Sequence, residues 1–198
     1  MTLGQKDFKR LSEFIYSELG IKMPDAKRTM LSARLQKRLR ALKLDSYPAY
    51  CDYLFSEEGM QSELIHLINV VTTNKTDFFR EPSHFDFLVQ RALPDMIRRY
   101  DAGFRKKMRI WSAGCSTGEE PYTLTMVLRE FMEAGSHRGF RFEILATDIS
   151  TRVLEMAMRA VYPEERIAPV PMALRRKYLL RSKDRNNDVV RISAQTRT

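Results

Sequence analysis

The sequence predicts a small all-α N-terminal domain followed by an α/β domain built around a Rossmann-like βαβ unit. Three observations support this prediction. Apolar residues recur at helical spacing through roughly the first 70 residues. The stretch 109–122, RIWSAGCSTGEEPY, has the order strand, tight glycine turn, helix start. A second strand, Phe142–Thr147, follows that helix, and a right-handed crossover places the carboxyl ends of both strands at one edge of the sheet.

The chain divides into three predicted parts. They are a helical domain at 1–71, a linker with a connecting helix at 72–107, and an incomplete α/β domain at 108–198. In the first part, helices are expected before Gly20, over about 26–44 with Asp25 as N-cap, from Ser46 onward, and through Leu64–Val71. The linker is rich in Thr and Asn, which are poor helix formers, and an ordinary capped connector would also explain it. Beyond the βαβ unit, a helix over about 174–180 and a strand at 189–192 are expected.

The net charge of +9 is concentrated in two stretches. Residues 26–44 contain seven Lys or Arg side chains and no acid, and residues 175–198 are also strongly basic. In the predicted helix, cationic side chains lie on an arc beside a leucine stripe. Such a patch fits an acidic protein surface, a membrane face or nucleic acid, and it also fits a solvated face without a partner. Charge alone leaves these possibilities open.

Cysteine and histidine usage indicates neither a disulfide framework nor a metal site. Cys51 and Cys115 are far apart, and the three histidines are scattered. No apolar run is long enough to cross a bilayer, and the N-terminus has no apolar signal core. We therefore expect a cytoplasmic protein with no metal.

The residues of the glycine turn discriminate among three ligand classes. A phosphate-binding loop would end in Lys-Ser or Lys-Thr, whereas here Gly118 is followed by Glu119 and Glu120, which would repel a triphosphate. A dinucleotide site requires G-x-G-x-x-G, but the spacing from Gly114 to Gly118 is G-x-x-x-G. S-adenosylmethionine has a ribose, a positive sulfonium and no phosphate, so acids at the turn suit it. Asp148, at the second strand end, fits the ribose hydroxyls.

Each of these acids also has a simpler interpretation. Glu119 and Glu120 would stabilise the first turn of any helix, by a few tenths to about 1 kcal/mol. Asp148 could serve as the N-cap of the helix that follows it.

Four stretches resemble the chemotaxis receptor methyltransferase (CheR) family. They are RLQKRLRALKLD, TTNKTDFFRE, IWSAGCSTGEEPYT and EILATDIS, in that order along the chain. The resemblance covers nearly the whole chain, and the paired motifs are far more specific than the glycine turn alone. It implies a class I methyltransferase fold and the transfer of a methyl group from S-adenosylmethionine to glutamate side chains of chemoreceptors, which leaves S-adenosylhomocysteine.

The resemblance also implies roles for individual residues. Asn74, Thr76 and Arg80 would line the amino-acid end of the cofactor, and Glu120 and Asp148 would contact its adenosine part. Arg80 would in addition be the catalytic residue beside the acceptor carboxylate. The acidic methylation helices in the cytoplasmic domain of the receptor would face the basic helix at Arg34, Lys37, Arg38 and Arg40.

Two other functions are weighed against this one. Family members continue past Thr198 with further strands and an Arg-Asn strand-end motif, and the strand at 189–192 resembles the start of their small β-subdomain. We therefore expect that the chain is truncated on its C-terminal side, which favours a non-catalytic receptor-docking or cofactor-sensing module as the alternative. The charge also suggests a nucleic-acid methyltransferase, but the basic helix lacks exposed aromatic residues for base stacking. We therefore expect no nucleic-acid partner and no membrane insertion.

Overall fold

A computed structural model describes residues 2–135, 137–184 and 187–197. Its contacts divide the chain into two compact units, Met1–Thr73 and Asn74–Thr198. The part of the predicted linker from Asn74 onward thus belongs to the second unit. In the described ranges, no helix combines the length and apolar character that crossing a membrane requires.

The first unit is all-α, as the periodicity predicted. Its helices are α1 (Gln5–Leu19), α2 (Arg28–Leu42), α3 (Tyr47–Leu54), α4 (Glu57–Ser62) and α5 (Leu64–Val71). Their apolar stripes meet in one core, where Leu11, Ile15, Leu35, Tyr50 and Leu54 are completely buried. The predicted start of a helix near Ser46 is confirmed, and Ser46 is the N-cap of α3, because its Oγ accepts a hydrogen bond from the amide of Ala49 at 3.3 Å.

One cap prediction in this unit is wrong, and one helix was not predicted. Asp25 does not cap α2; it begins a short 3₁₀ turn, and its carboxylate accepts a hydrogen bond from Gln5 Nε2 at 3.1 Å. The helix expected through Leu64–Val71 is confirmed as α5. The short helix α4 before it had no predicted counterpart; its N-cap is Ser56, whose Oγ accepts from the amide of Gly59 at 3.1 Å.

The second unit begins with a loop and a continuous helical segment. The segment comprises α6 (Pro82–Phe87), a π-helical turn (Leu88–Ala92) and α7 (Leu93–Tyr100). Pro94 is in the first turn of α7. A proline inside a helix removes a backbone donor, so the widened turn just before it has a local cause.

The predicted βαβ unit is confirmed. It consists of β1 (Met108–Ala113), α8 (Glu119–Ala134) and β2 (Phe142–Thr147), followed by α9 (Thr151–Arg159). The two strands are parallel, with Met108 opposite Phe142 and Ala113 opposite Thr147. One face of this sheet joins a core with Leu128 and Phe131 of α8. The carboxyl ends of both strands therefore lie side by side, next to the glycine turn.

A second sheet follows, of which the sequence predicted one strand, as the start of a β-subdomain. Its strands are β3 (Val161–Pro163), β4 (Leu179–Arg181) and β5 (Val189–Ile192), in the antiparallel order β3-β5-β4. The predicted strand at 189–192 is thus the middle strand. The helix expected over 174–180 is α10 (Met172–Tyr178), which ends where β4 begins. Tyr162 and Tyr178 pack with Phe78 and Met126 in the core between this sheet and α8.

Candidate cofactor site at the glycine turn

The turn between β1 and α8 adopts left-handed backbone conformations at alternate residues. φ is +74° at Gly114, +50° at Ser116 and +96° at Gly118. A Cβ on Gly118 would lie 2.9 Å from both the Ala157 Cβ and the Tyr162 hydroxyl, so only glycine fits there. Around Gly114, by contrast, a Cβ would meet no heavy atom of the described chain within 4 Å. A ligand can therefore approach the backbone at Gly114.

The backbone N–H groups of this turn are hydrogen-bonded to the end of β2. Gly114 N and Cys115 N donate to the carbonyl of Thr147 at 2.8 and 2.9 Å. Ser116 N donates to Asp148 Oδ2 at 2.9 Å. The predicted proximity of the turn and Asp148 is confirmed. These three amides are therefore not available to a phosphate group.

Asp148 connects two segments of backbone and does not cap α9. Its other oxygen, Oδ1, accepts from the amide of Ser150 at 2.9 Å. The N-cap is Ser150, whose Oγ accepts from the amide of Val153 at 3.4 Å. The Asp148 side chain is only partly buried. A carboxylate has about four lone-pair positions, so this one keeps acceptor capacity for a ligand.

The two adjacent glutamates at the start of α8 have different environments. Glu119 is completely buried, where it pairs with Arg166 and accepts from Thr117 Oγ1 at 2.5 Å. Glu120 is exposed, and its Oε1 accepts from Ser112 Oγ of β1 at 2.7 Å. The carboxylate of Glu120 is thus held at the end of β1, while that of Asp148 is held at the end of β2.

The loop that begins the second unit contacts the turn through its backbone. Ser116 Oγ donates to the carbonyl of Asn74 at 2.8 Å, and Arg166 Nη2 donates to the carbonyl of Thr76 at 3.1 Å. The guanidinium of Arg80 is exposed and donates to the carbonyl of Lys75 at 3.1 Å, within the same loop. The structure therefore brings Asn74 and Thr76 to the turn and leaves the side chain of Arg80 at the surface beside them.

The electrostatics of the site disfavour nucleophilic catalysis by Cys115. Burial raises the pKa of its thiol, and the carboxylates of Asp148 and Glu120 raise that pKa further. The thiol is therefore protonated at neutral pH and unreactive. Two carboxylates beside a turn whose amides are occupied suit a ligand with hydroxyl groups and a positive charge. The adenosyl sulfonium of S-adenosylmethionine meets that requirement.

One sizeable apolar groove in the described part of the second unit lies apart from this site. This groove of about 520 Å³ beside α8 is lined mainly by apolar side chains, among them Phe79, Phe85, Val89 and Phe131. None of the predicted cofactor residues lines it. The site is therefore identified by its hydrogen bonds and charges.

Sequence reasoning missed several residues that organise the site. They are Ser112, Thr117, Tyr162 and Arg166. Arg166 lies in a proline-bounded stretch whose spacing indicates no partner for it. Ser112 and Thr117 lie in the motif itself, but small residues at these positions do not indicate which side chains they bond to.

A parallel βαβ unit whose glycine turn meets an acid at the end of the second strand indicates an α/β domain that binds a nucleoside-containing ligand at that edge of the sheet. The chain belongs to the CheR methyltransferase family. Residues 74–197 match the SAM binding domain of that family, and residues 6–72 match its all-alpha domain.

The similar proteins are named chemotaxis protein methyltransferases. The chain is 39% identical over 184 residues to the chemotaxis protein methyltransferase of Borreliella burgdorferi, covering 93% of this chain and 64% of that protein. It is 36% identical to chemotaxis protein methyltransferase 2 of Pseudomonas aeruginosa, covering 98% and 65%, respectively. For the chemotaxis protein methyltransferase of Escherichia coli the identity is 36%, covering 97% and 63%. The chain thus spans somewhat less than two thirds of the length of these relatives.

Proposed function

We propose that this protein transfers a methyl group from S-adenosylmethionine to glutamate side chains in the cytoplasmic domain of chemoreceptors, forming γ-methyl esters. The observation that carries the proposal is the glycine turn, whose amides are bonded to β2 and whose neighbours are the carboxylates of Glu120 and Asp148. Membership of the CheR family supports the reaction, and the names of the relatives support the chemotaxis role.

In this proposal the cofactor lies across the carboxyl edge of β1 and β2. Glu120 and Asp148 accept hydrogen bonds from the adenosine part, and Asn74, Thr76 and Arg80 hold the amino-acid end. The bound cofactor supplies an electrophilic methyl group on a sulfonium. The partly buried Asp148 and the open space at Gly114 leave room for such a ligand.

The acceptor needs little activation. A glutamate carboxylate is already ionised at neutral pH, so no strong base or nucleophilic side chain is required. The protein's contribution is to align the acceptor oxygen with the methyl group, and alignment of this kind can supply several kcal/mol. The exposed guanidinium of Arg80 could orient the carboxylate through two hydrogen bonds. This interaction between Arg80 and the acceptor carboxylate has to be weak, because strong binding of the ground state would slow the reaction.

We propose that the cationic face of α2 contacts the receptor and that its residues contribute in different ways. Lys37 and Arg40 are exposed and can pair directly with an acidic helix. Arg34 donates to three carbonyls at the end of α5, and Arg38 pairs with Glu63, so these two add to the positive field while holding the fold. We place the reaction in the cytoplasm, without metal, nucleic acid or membrane insertion.

The test is methyl transfer with tritium-labelled S-adenosylmethionine and a receptor cytoplasmic fragment. Base treatment should release labelled methanol, because methyl esters hydrolyse in base. Arg80→Ala should lower the rate at least about 100-fold, through lost positioning. The control is Arg91→Ala, an exposed arginine of the π-helical turn, which should leave the rate unchanged. Normal turnover in Arg80→Ala would contradict the assignment, and receptor binding without labelled methanol would indicate a docking module instead.

A further inference from the structure

Glu119 is a carboxylate with no contact to solvent at the first position of α8. A buried carboxylate is costly unless it is paired and hydrogen-bonded. Here it pairs with Arg166 and accepts from Thr117 Oγ1 at 2.5 Å. Its own backbone carbonyl accepts from Thr123 Oγ1 at 2.7 Å. Glu119 therefore links Thr117 of the glycine turn to α8, and its buried carboxylate has both an ion-pair partner and a hydrogen-bond donor.

Arg166 links this acid to the loop that carries the predicted cofactor residues. It lies in the 3₁₀ turn Glu164–Ile167, which directly follows β3. The same nitrogen, Nη2, donates to a carboxylate oxygen of Glu119 and to the carbonyl of Thr76. Pairing with Glu119 raises the pKa of Arg166, so its positive charge is permanent. A single guanidinium thus spans the turn and the loop.

Three further hydrogen bonds support this connection. Tyr162 of β3 donates through its hydroxyl to the carbonyl of Thr117 at 2.6 Å, in a buried position. The amide of Phe79 donates to Thr123 Oγ1 at 3.2 Å. Ser116 Oγ donates to the carbonyl of Asn74 at 2.8 Å. The loop is therefore bonded to the turn near its start, to Arg166 near its middle and to α8 near its end, and Arg166 provides the charged contact.

We propose that Arg166 and Glu119 are positioning residues, which set the distance between the glycine turn and the loop 74–80. Through this clamp they control how tightly the adenosyl and amino-acid ends of the cofactor are held together. The inference rests on the proposed function for its ligand. The existence of the clamp itself rests only on the contacts of the chain.

A clamp and a purely structural ion pair respond differently to a substitution. A structural pair contributes to the stability of the whole second unit. A clamp changes the order of the loop and ligand affinity even in a variant that stays folded. Lysine at position 166 keeps the charge, but its nitrogen lies one bond nearer to the backbone than Nη2 and is not held in a plane, so it does not keep both contacts at these positions. Arg166→Lys therefore separates charge from geometry.

The experiment compares the unsubstituted chain, Arg166→Lys, Arg166→Met and Glu119→Gln. Its control is Arg159→Met, which removes an exposed arginine of α9 whose ion pair with Glu155 spans 4.0 Å. Two quantities are measured at a temperature where each variant is folded by circular dichroism. They are the Kd for S-adenosylhomocysteine by calorimetry and the hydrogen exchange of the amides at 74–80.

We expect roughly tenfold weaker binding in Arg166→Lys and a larger loss in Arg166→Met. Exchange at 74–80 should accelerate in both, with the amides of β1 and β2 unchanged. Arg159→Met should match the unsubstituted chain. Unchanged Kd and exchange in folded Arg166→Lys and Arg166→Met would overturn the proposal, as would exchange that accelerates equally across the unit. If the unsubstituted chain binds no ligand, the proposed function fails, and the exchange data then decide on the clamp independently.

Discussion

Replacement of Arg38 by alanine should strongly destabilise the first unit, although the sequence places this residue on a cationic surface. Its Nε and Nη2 donate to the two carboxylate oxygens of Glu63 at 2.8 and 2.6 Å. The side chain of Glu63 is 1% exposed, and Tyr50 also donates to it, at 3.1 Å. Without Arg38 the acid would be left buried with one neutral partner.

The magnitude follows from the burial of the acid. Removing one partner of a buried ion pair costs about 3–5 kcal/mol. The remaining bond from Tyr50 and the 19% exposure of the Arg38 side chain reduce this cost. We therefore expect a loss of about 3 kcal/mol in the free energy of unfolding of this unit.

The assay is hydrogen exchange of the α5 amides at 64–71. The single tryptophan, Trp111, lies in the second unit, so its fluorescence does not report on this one. The matched control is Lys37→Ala, an exposed neighbour on α2, which should change stability by less than about 0.5 kcal/mol. A loss below about 1 kcal/mol in Arg38→Ala would refute the reasoning.

Three further predictions concern the glycine turn. Gly118→Ala should cost at least about 2 kcal/mol in urea unfolding followed by circular dichroism, because the new Cβ meets Ala157 and Tyr162 at a φ of +96°; unchanged stability would contradict the turn geometry. Tyr162→Phe should cost about 1–2 kcal/mol, since the carbonyl of Thr117 loses its buried donor; a neutral result would mean that water replaces the hydroxyl. Burial raises the pKa of the Cys115 thiol, so this thiol should be alkylated far more slowly in the native chain than in denaturant. Equal rates of alkylation would show that the thiol is accessible in the native chain.

The sequence predicted elements whose signal is local. The strand-turn-helix order around the glycines and the leucine stripe of α2 follow from periodicity within one segment. The strands β3 and β4 escaped prediction because each has three residues, and their pairing depends on distant partners such as Val161 with Arg191. A short apolar stretch next to prolines carries no strand signal until its partner is known.

The same distinction holds for the site. The proximity of Asp148 to the turn was predictable, since parallel strands bring their carboxyl ends together. The partner of Glu119 was not, because Arg166 lies 47 positions further along the chain. Helical geometry placed Arg38 next to the apolar seam, but it did not reveal that Glu63 faces it from the start of α5. The partner of a side chain at the edge of an apolar stripe depends on the element that packs against that stripe. Periodicity within one segment does not identify that element.

The central claim is that the turn accepts an adenosyl ligand without phosphates. It is tested most directly by calorimetric titration of the chain with S-adenosylhomocysteine and, separately, with ATP. Asp148→Asn preserves the shape of the side chain and removes its charge, and Asp188→Asn at an exposed position is the control. We predict that S-adenosylhomocysteine binds, that Asp148→Asn weakens this binding at least about tenfold, and that ATP does not bind. Binding of ATP as tight as that of S-adenosylhomocysteine, or no effect of Asp148→Asn, would contradict the account.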